Sequence, residues 1–178
     1  MYTKLRPLAG SRILGERVMQ AACKLFERFA ADPKFLQSAR EMRTKLENAE
    51  GLEKNFKTSP GAIYDIDFLA GFLLIKHRIP NKQGTIRDRI WRCSDSCLLN
   101  KTDASALDHA AELLRTVEHV VRLVVGRARK WLPATEHARE VTEKLTSRIL
   151  RREFSRGLEV ELGESATNVR AIYDRVLA

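Results

Sequence analysis

Two aspartates, Asp65 and Asp67, begin a strongly apolar stretch that follows a short basic segment. Residues 54–77 read KNFKTSPGAIYDIDFLAGFLLIKH. One acid near a helix N-terminus is explained by the helix dipole, which favours negative charge there. Two acids that each continue into an apolar helix face need partners, because a buried carboxylate is costly unless it is paired. Three cations are candidate partners: Lys4, Arg6 and Lys57. A structural ion pair and a site facing a metal-bound nucleotide both remain open interpretations.

A second charged group lies in residues 113–133, LLRTVEHVVRLVVGRARKWLP. Four side chains at helical spacing are predicted to form one stripe: Arg115, His119, Arg122 and Arg129. Glu118 is three residues after Arg115 and four before Arg122, so it can pair with both arginines. The stripe is either a solvated, salt-bridged helix face or a surface that meets phosphate or a protein partner.

The elements that position these residues are predicted to be helical throughout, because strand-like alternation is missing and 3.6-residue periodicity dominates. Between Ile66 and Ile75 the only charged residue is Asp67. A helix that is apolar on every side is expected to be buried on every side. The predicted fold is therefore an all-α bundle of about seven helices around a buried central helix.

Amphipathic patterns predict the helices around that centre. Ser11 opens the first, whose core face is predicted to be Leu14, Val18, Ala21, Leu25 and Phe29. Asp32 and Pro33 start the second, whose core face is predicted to be Leu36, Ala39, Met42 and Leu46. Thr85 and Asp88 form a capping box that starts the fourth, with Ile86, Ile90 and Cys93 facing inward.

The C-terminal half contains three further predicted helices. The longest runs from about Asp103 to Leu132 and is stopped by Pro133. The next has a core face of Ala138, Val141, Leu145 and Ile149. Residues 156–165, RGLEVELGES, are predicted to form a turn, and Ser165 begins the last helix.

Composition restricts the kind of protein. The chain has 178 residues, a net charge of +9 and three cysteines. The charge favours anionic partners without choosing among them. An odd cysteine count and the absence of a secretory pattern favour a reducing, cytoplasmic location. The longest apolar run is far shorter than a membrane span. Cys93 and Cys97 form an isolated pair, so no metal is expected, and no complete catalytic motif is present.

Three ordered segments resemble bacterial glutamine synthetase adenylyltransferases. KTSPGAIYDIDFLAGFLLIKH is similar to their K-x-G-x-G-G-I-R-D-I-E-F motif, and LLRTVEHVVRLVVGRARKWLP to their F-L-R-x-V-E-H-x-L-Q-L segment. KLRPLAGSRILGERVM resembles their K-A-R-x-V-A-G-D-x-x-L-G segment, and NVRAIYDRVL their last helix. PII uridylyltransferases share this type of helical domain and are the related alternative.

The resemblance implies that residues 1–178 are one helical domain, a fragment that follows a nucleotidyltransferase domain in cis. The parent enzyme would use ATP and Mg²⁺ to move AMP onto a tyrosine of glutamine synthetase, or remove it by phosphorolysis. Glutamine synthetase and the PII signalling protein would be its partners. The fragment alone would bind no cofactor and would be inactive, because the catalytic aspartates lie in the other domain. A basic module that binds nucleic acid is a less favoured alternative, since no recognition motif is present. A purely structural adaptor is a third.

The resemblance also implies roles for individual residues. Six occupy segments expected to face the nucleotide site: Lys4, Arg6, Lys57, Gly61, Asp65 and Asp67. The second segment contributes Arg115, Glu118 and His119, with Arg122 on the same basic stripe. The chain departs from the family pattern at Ala62, Tyr64, Asp67 and Gly71. Tyrosine at 64 removes an arginine whose fork-shaped donors suit phosphate, so the site is expected to be weakened or specialised.

Overall fold

The fold is built from helices in all the residues that the structure, a computed structural model, describes: 7–49, 54–79 and 84–177. The seven helices in these ranges are α1 (Arg12–Ala31), α2 (Phe35–Asn48), α3 (Ile63–Lys76), α4 (Ile86–Asp95), α5 (Lys101–Val125), α6 (Glu136–Leu150) and α7 (Leu158–Val176). The predicted all-α bundle is therefore confirmed. No helix in the described ranges is both long and apolar enough to cross a membrane.

Helix α3 lies at the centre and packs against α1, α2, α4, α5 and α7. Ten of its fourteen residues are buried, including Asp65 and Asp67. Apolar residues lie on all sides of α3 because neighbouring helices surround it and leave no side that faces solvent. The prediction of a buried central helix is confirmed.

Helix α1 begins where the sequence predicted but presents a different face to the bundle. The Ser11 hydroxyl accepts a hydrogen bond from the Leu14 N–H at 3.4 Å, which caps the helix. The predicted core residues Leu14 and Val18 are 61% and 46% exposed. The inward side is displaced by one residue and consists of Gly15, Met19, Ala22, Phe26 and Ala30, each buried or half-buried. The expected core face was largely wrong because α1 has two adjacent apolar stripes, and the one that contains Ala22 and Ala30 packs inward. Of the predicted face, only Leu25 is half-buried.

Helix α4 starts at its predicted capping box, whereas α2 does not start at the predicted Asp32–Pro33 signal, because its N-cap is Lys34 and no side chain caps it. The Asp32 carboxylate accepts the Lys34 N–H at 2.8 Å, and α2 begins at Phe35, so Pro33 lies in the preceding turn. At α4 the predicted capping box is present, with Thr85 and Asp88 each bonding the other's backbone N–H. That reciprocal pair satisfies two N–H groups that a helix start leaves without intrahelical partners.

Helix α5 ends earlier than predicted. Gly126 adopts a left-handed conformation, with φ of 73°, and terminates the helix seven residues before Pro133. A left-handed glycine is a common helix terminator because it has no Cβ to oppose that conformation. The chain then turns, and Trp131 stacks on Phe56 with ring centroids 4.8 Å apart. Trp131 and Arg129 therefore belong to a loop and not to α5.

Helices α6 and α7 also correct the prediction. The buried residues of α6 are Thr142 and Thr146, whose hydroxyls bond to carbonyls one turn earlier, whereas Ile149 is 57% exposed. Helix α7 begins at Leu158 and not at Ser165. Its start is stabilised from outside, because the Glu143 carboxylate accepts the Leu158 N–H at 2.9 Å. A remote cap of this kind leaves no local pattern, so the segment resembled a turn.

The cysteines differ in accessibility, which gives a direct test of the core. Cys93 is buried, while Cys23 and Cys97 are exposed. Burial raises the pKa of the Cys93 thiol to about 12, and the nearby Arg89 and Arg92 only partly oppose this. Because the thiolate is the reactive form, we expect native protein at pH 8 to react with Ellman's reagent at two thiols and at the third only after denaturation. Rapid reaction of all three thiols in folded protein would contradict this packing.

Candidate functional site: buried acids and a basic surface

Asp65 is fully buried at the first turn of α3 and is held by charged partners from two other helices. Its Oδ1 lies 2.5 Å from Arg43 Nε on α2. Its Oδ2 accepts the Gly61 N–H at 2.6 Å and lies 3.4 Å from Arg170 Nη1 on α7. This arrangement joins α2, α3 and α7 through one carboxylate.

Arg43 extends the network to the loop before α3. It is 1% exposed and donates from Nη2 to the carbonyls of Thr58 and Ser59, at 2.9 and 3.0 Å. Glu47 lies 3.3 Å from Arg43 Nη1 and 3.0 Å from Arg170 Nη1. The two arginines thus share two carboxylates, which compensates their charge inside the bundle.

Burial also changes the proton affinity of this network. Desolvation raises the pKa of the Asp65 carboxyl, although Arg43, the Gly61 N–H and Arg170 act in the opposite direction. Burial and then the charge of Asp65 raise the pKa of Tyr173, which packs nearby. The buried carboxylate therefore depends strongly on its cationic partners.

Asp67 is paired with a different buried arginine. It is 7% exposed and forms an ion pair, through a short hydrogen bond to Oδ1, with Arg89 of α4, which is 3% exposed. Asp67 also lines an apolar groove with a volume of about 310 Å³ between α1, α2 and α3. Of the two interpretations left open by the sequence, ion pairing describes both aspartates. The partners are arginines that the sequence analysis did not name.

Gly61 sits where the loop touches α7. Its φ is 74°, and a Cβ built there would lie 1.9 Å from the carbonyl oxygen of Ala166. Glycine is required on two grounds, because the left-handed conformation disfavours a side chain and the α7 backbone occupies the space. The glycine of the first motif therefore allows close packing and positions the N–H that bonds Asp65.

The cations of the two sequence segments meet at Glu118, which is 11% exposed by side chain. Its Oε1 lies 3.1 Å from Lys57 Nζ and 3.6 Å from Arg122 Nη2, and its Oε2 lies 3.7 Å from Arg115 Nη1. The three cations are 46–49% exposed. We call Lys57, Arg115 and Arg122 the basic surface. One carboxylate holds three positive side chains, so the surface has excess positive charge that can attract an anion.

The other predicted site residues have different positions. His119 is exposed on α5, and Arg129 is exposed in the loop after it, so the predicted stripe of four loses Arg129. Tyr64 is half-buried and packs against the core. Lys4 and Arg6 lie outside the described residues. The nucleotide-facing role assigned to the site residues by resemblance stays a prediction.

Sequence reasoning missed the arginines Arg43, Arg89 and Arg170. A signal existed for Arg89, which immediately precedes the buried Ile90. The predicted core residue Met42 is 51% exposed, and Arg43 takes the inward position instead. A buried arginine of this kind requires a carboxylate partner. Nothing in the sequence indicated which acid each arginine would meet.

The donor set does not suit a metal ion. Among the described residues, no group of three or more His, Cys, Asp or Glu side chains is arranged to hold one. Asp65 and Asp67 are each bonded to a buried arginine. A Mg²⁺ site needs carboxylate oxygens available in octahedral geometry, so these two acids are not suited to bind the ion. The resemblance places Mg²⁺ in the nucleotidyltransferase domain.

The family model described as GlnD PII-uridylyltransferase matches residues 34–177, which is most of the chain. The chain therefore belongs to the GlnD PII-uridylyltransferase family.

Curated relatives refine the comparison. A bifunctional glutamine synthetase adenylyltransferase/adenylyl-removing enzyme of Streptomyces avermitilis is 27% identical over 97% of the chain and 18% of the relative. The enzyme of that name from Streptomyces coelicolor is 28% identical over 75% of the chain and 14% of the relative. The one from Leifsonia xyli subsp. xyli is 27% identical over 97% and 17%. The chain spans less than a fifth of the length of these relatives. The resemblance inferred from the sequence segments is confirmed.

Proposed function

We propose that this chain is the helical domain of a bifunctional glutamine synthetase adenylyltransferase/adenylyl-removing enzyme. It would support ATP-dependent transfer of AMP to a tyrosine of glutamine synthetase, or its phosphorolytic removal, in the cytoplasm. The observation that carries the proposal is the contact of Lys57 with Glu118, which brings the two family segments together in one basic surface. The names of the curated relatives support adenylyl transfer over the uridylyl transfer that the family description mentions.

The two sets of charges have separate tasks in this proposal. The buried pairs of Asp65 and Asp67 fix the start of α3 and the loop before it. That loop carries Lys57, which is therefore held at the surface beside Arg115 and Arg122. Three half-exposed cations around one carboxylate suit the charge of a nucleotide's phosphates. The contribution of this domain would be electrostatic stabilisation and positioning, which are major parts of phosphoryl-transfer catalysis.

Other parts of the reaction would belong to other parts of the protein. A nucleotidyltransferase domain in cis would hold Mg²⁺ and the reacting groups, since the carboxylates described above are paired with arginines. Glutamine synthetase and PII would be the protein partners. The chain alone is expected to transfer no nucleotide.

A double charge reversal, Arg115→Glu with Arg122→Glu, tests the basic surface in the full-length protein. We expect adenylyl transfer to glutamine synthetase to fall by about 100-fold, since unfavourable charge at a phosphate site costs a few kcal/mol. Stability should fall by only about 1–2 kcal/mol, because two pairs with Glu118 are lost and two like-charge contacts replace them. Rates would be measured with labelled ATP and melting followed by circular dichroism.

Arg148→Glu on α6 is the matched control, because Arg148 is also an exposed helical arginine. It should leave transfer unchanged. Equal rates for the double variant and the parent would refute the role of the basic surface. Transfer of UMP to PII, with no AMP transfer to glutamine synthetase, would instead identify the protein as a PII uridylyltransferase.

A further inference from the structure

The outward stripe of α1 is apolar but is not covered by the bundle. Leu14, Val18 and Phe29 recur at helical spacing and are 61%, 46% and 37% exposed. The adjacent stripe, which includes the buried residues Ala22 and Ala30, already contacts the bundle. A helix normally has one apolar stripe facing its core, so a second apolar stripe indicates a second packing partner.

The stripe continues into the apolar groove beside α3. Phe29 belongs to both and stacks on Phe35, which in turn stacks on Phe72, with centroid separations of 5.6 and 5.1 Å. Met42, on the groove's α2 wall, is 51% exposed. We call the stripe and this groove together the outer apolar face. From Leu14 to Phe29 it extends along about 22 Å of helix, and contiguous apolar surface of this kind marks an interaction site.

The border of the outer apolar face is basic. Arg17, Lys24 and Arg28 are exposed and recur at spacings of seven and four, so they form a row beside the stripe. The matching occupant is an apolar helix bordered by acidic residues. A second copy of this chain matches poorly, because its net charge of +9 opposes self-association.

The comparisons indicate where such a helix would come from. The family match starts at residue 34, after α1, whereas two curated relatives match 97% of the chain and so extend through α1. More than four fifths of each of those relatives lies outside the matched region. A polypeptide of that length contains ample further protein to supply such a helix.

We propose that the outer apolar face docks an acid-bordered apolar helix of the nucleotidyltransferase domain in the same polypeptide. This inference rests on the proposed function for the identity of that domain. Docking along α1 would fix the orientation of the helical domain, and with it the basic surface, relative to its neighbour. An apolar seam with charged borders gives both affinity and register.

Hydrogen exchange tests the proposal on the full-length polypeptide and on the 178-residue chain. We expect amides of α1 to exchange at least about tenfold more slowly in the full-length protein, because docking suppresses local opening. Leu14→Ser with Val18→Ser, in the full-length protein, should return α1 to the exchange rate of the isolated chain. Ile149→Ser on α6 is the matched control, since Ile149 is similarly exposed at 57%, and it should leave α1 protected.

Equal exchange of α1 in both polypeptides would overturn the proposal. So would protection in the isolated chain that rises with concentration and accompanies a dimer in sedimentation, since the occupant would then be a second copy. A natural polypeptide no longer than this chain would also overturn it. Exchange reports docking whichever group the enzyme transfers, so failure of the AMP-transfer assay is distinguishable from failure of the docking proposal.

Discussion

Replacing Asp65 with alanine is expected to destabilise the domain by about 3–5 kcal/mol, because the buried Arg43 would keep only the partly exposed Glu47 to compensate its charge. Arg43, which is 1% exposed, would lose its 2.5 Å partner, and the Gly61 N–H would lose its acceptor. Domains of this size are stable by only about 5–15 kcal/mol in total. Urea unfolding followed by circular dichroism would show a large fall in midpoint or an unfolded chain.

Two further variants make this result interpretable. Asp95→Ala removes an exposed aspartate from the last turn of α4 and should change stability by less than about 0.5 kcal/mol. Arg43→Met combined with Asp65→Leu removes both charges and should recover part of the loss. The rest should persist, because the carbonyls of Thr58 and Ser59 and the Gly61 N–H would lose their partners. A single Asp65→Ala variant as stable as the parent would contradict the network.

Replacing Gly61 with alanine is expected to be the second severe change. The new Cβ would meet the Ala166 carbonyl oxygen at 1.9 Å, so α7 or the loop must move. A loop shift would disturb the Gly61–Asp65 hydrogen bond as well. We expect a loss of about 3–4 kcal/mol, the range of mutations that combine overpacking with backbone strain. Thermal and urea unfolding would both measure it.

Gly126→Ala provides a close control. Its φ of 73° is almost that of Gly61, but no atom lies within 4 Å of the added Cβ. The control should therefore lose only the cost of the left-handed conformation, about 1 kcal/mol. The difference between the two variants measures the contact with α7, and equal losses would show that this contact contributes nothing.

The sequence predicted those elements whose signals are local. The burial of α3 was predictable because its own residues are almost all apolar. The start of α4 was predictable because Thr85 and Asp88, which form its capping box, are only three residues apart. The start of α7 was missed because its signal is not local, and the end of α5 was missed because apolar periodicity was weighed above a local glycine signal. Gly126 ends α5 although apolar periodicity continues to Trp131, and Glu143 caps α7 from a different helix.

In the candidate site, too, local contacts were predictable from the sequence and contacts between distant segments were not. The pairing of Glu118 with Arg115 and Arg122 was predicted from helical spacing, whereas its contact with Lys57 depends on how the loop folds over α5. The need of Asp65 for a charged partner followed from its apolar surroundings. The choice of Arg43 depends on the packing of α2, which periodicity does not specify.

The contact between α7 and the loop before α3 determines when this domain can finish folding during translation. Asp65 and Arg170 are separated by 105 residues, and Ala166 closes over Gly61 only after α7 has emerged. Until then the nascent chain carries Asp65 without its α7 partner and α3 without one of its neighbours. The core is therefore complete only when α7 has packed against α3. A chain arrested before α7 would expose apolar surface that chaperones recognise.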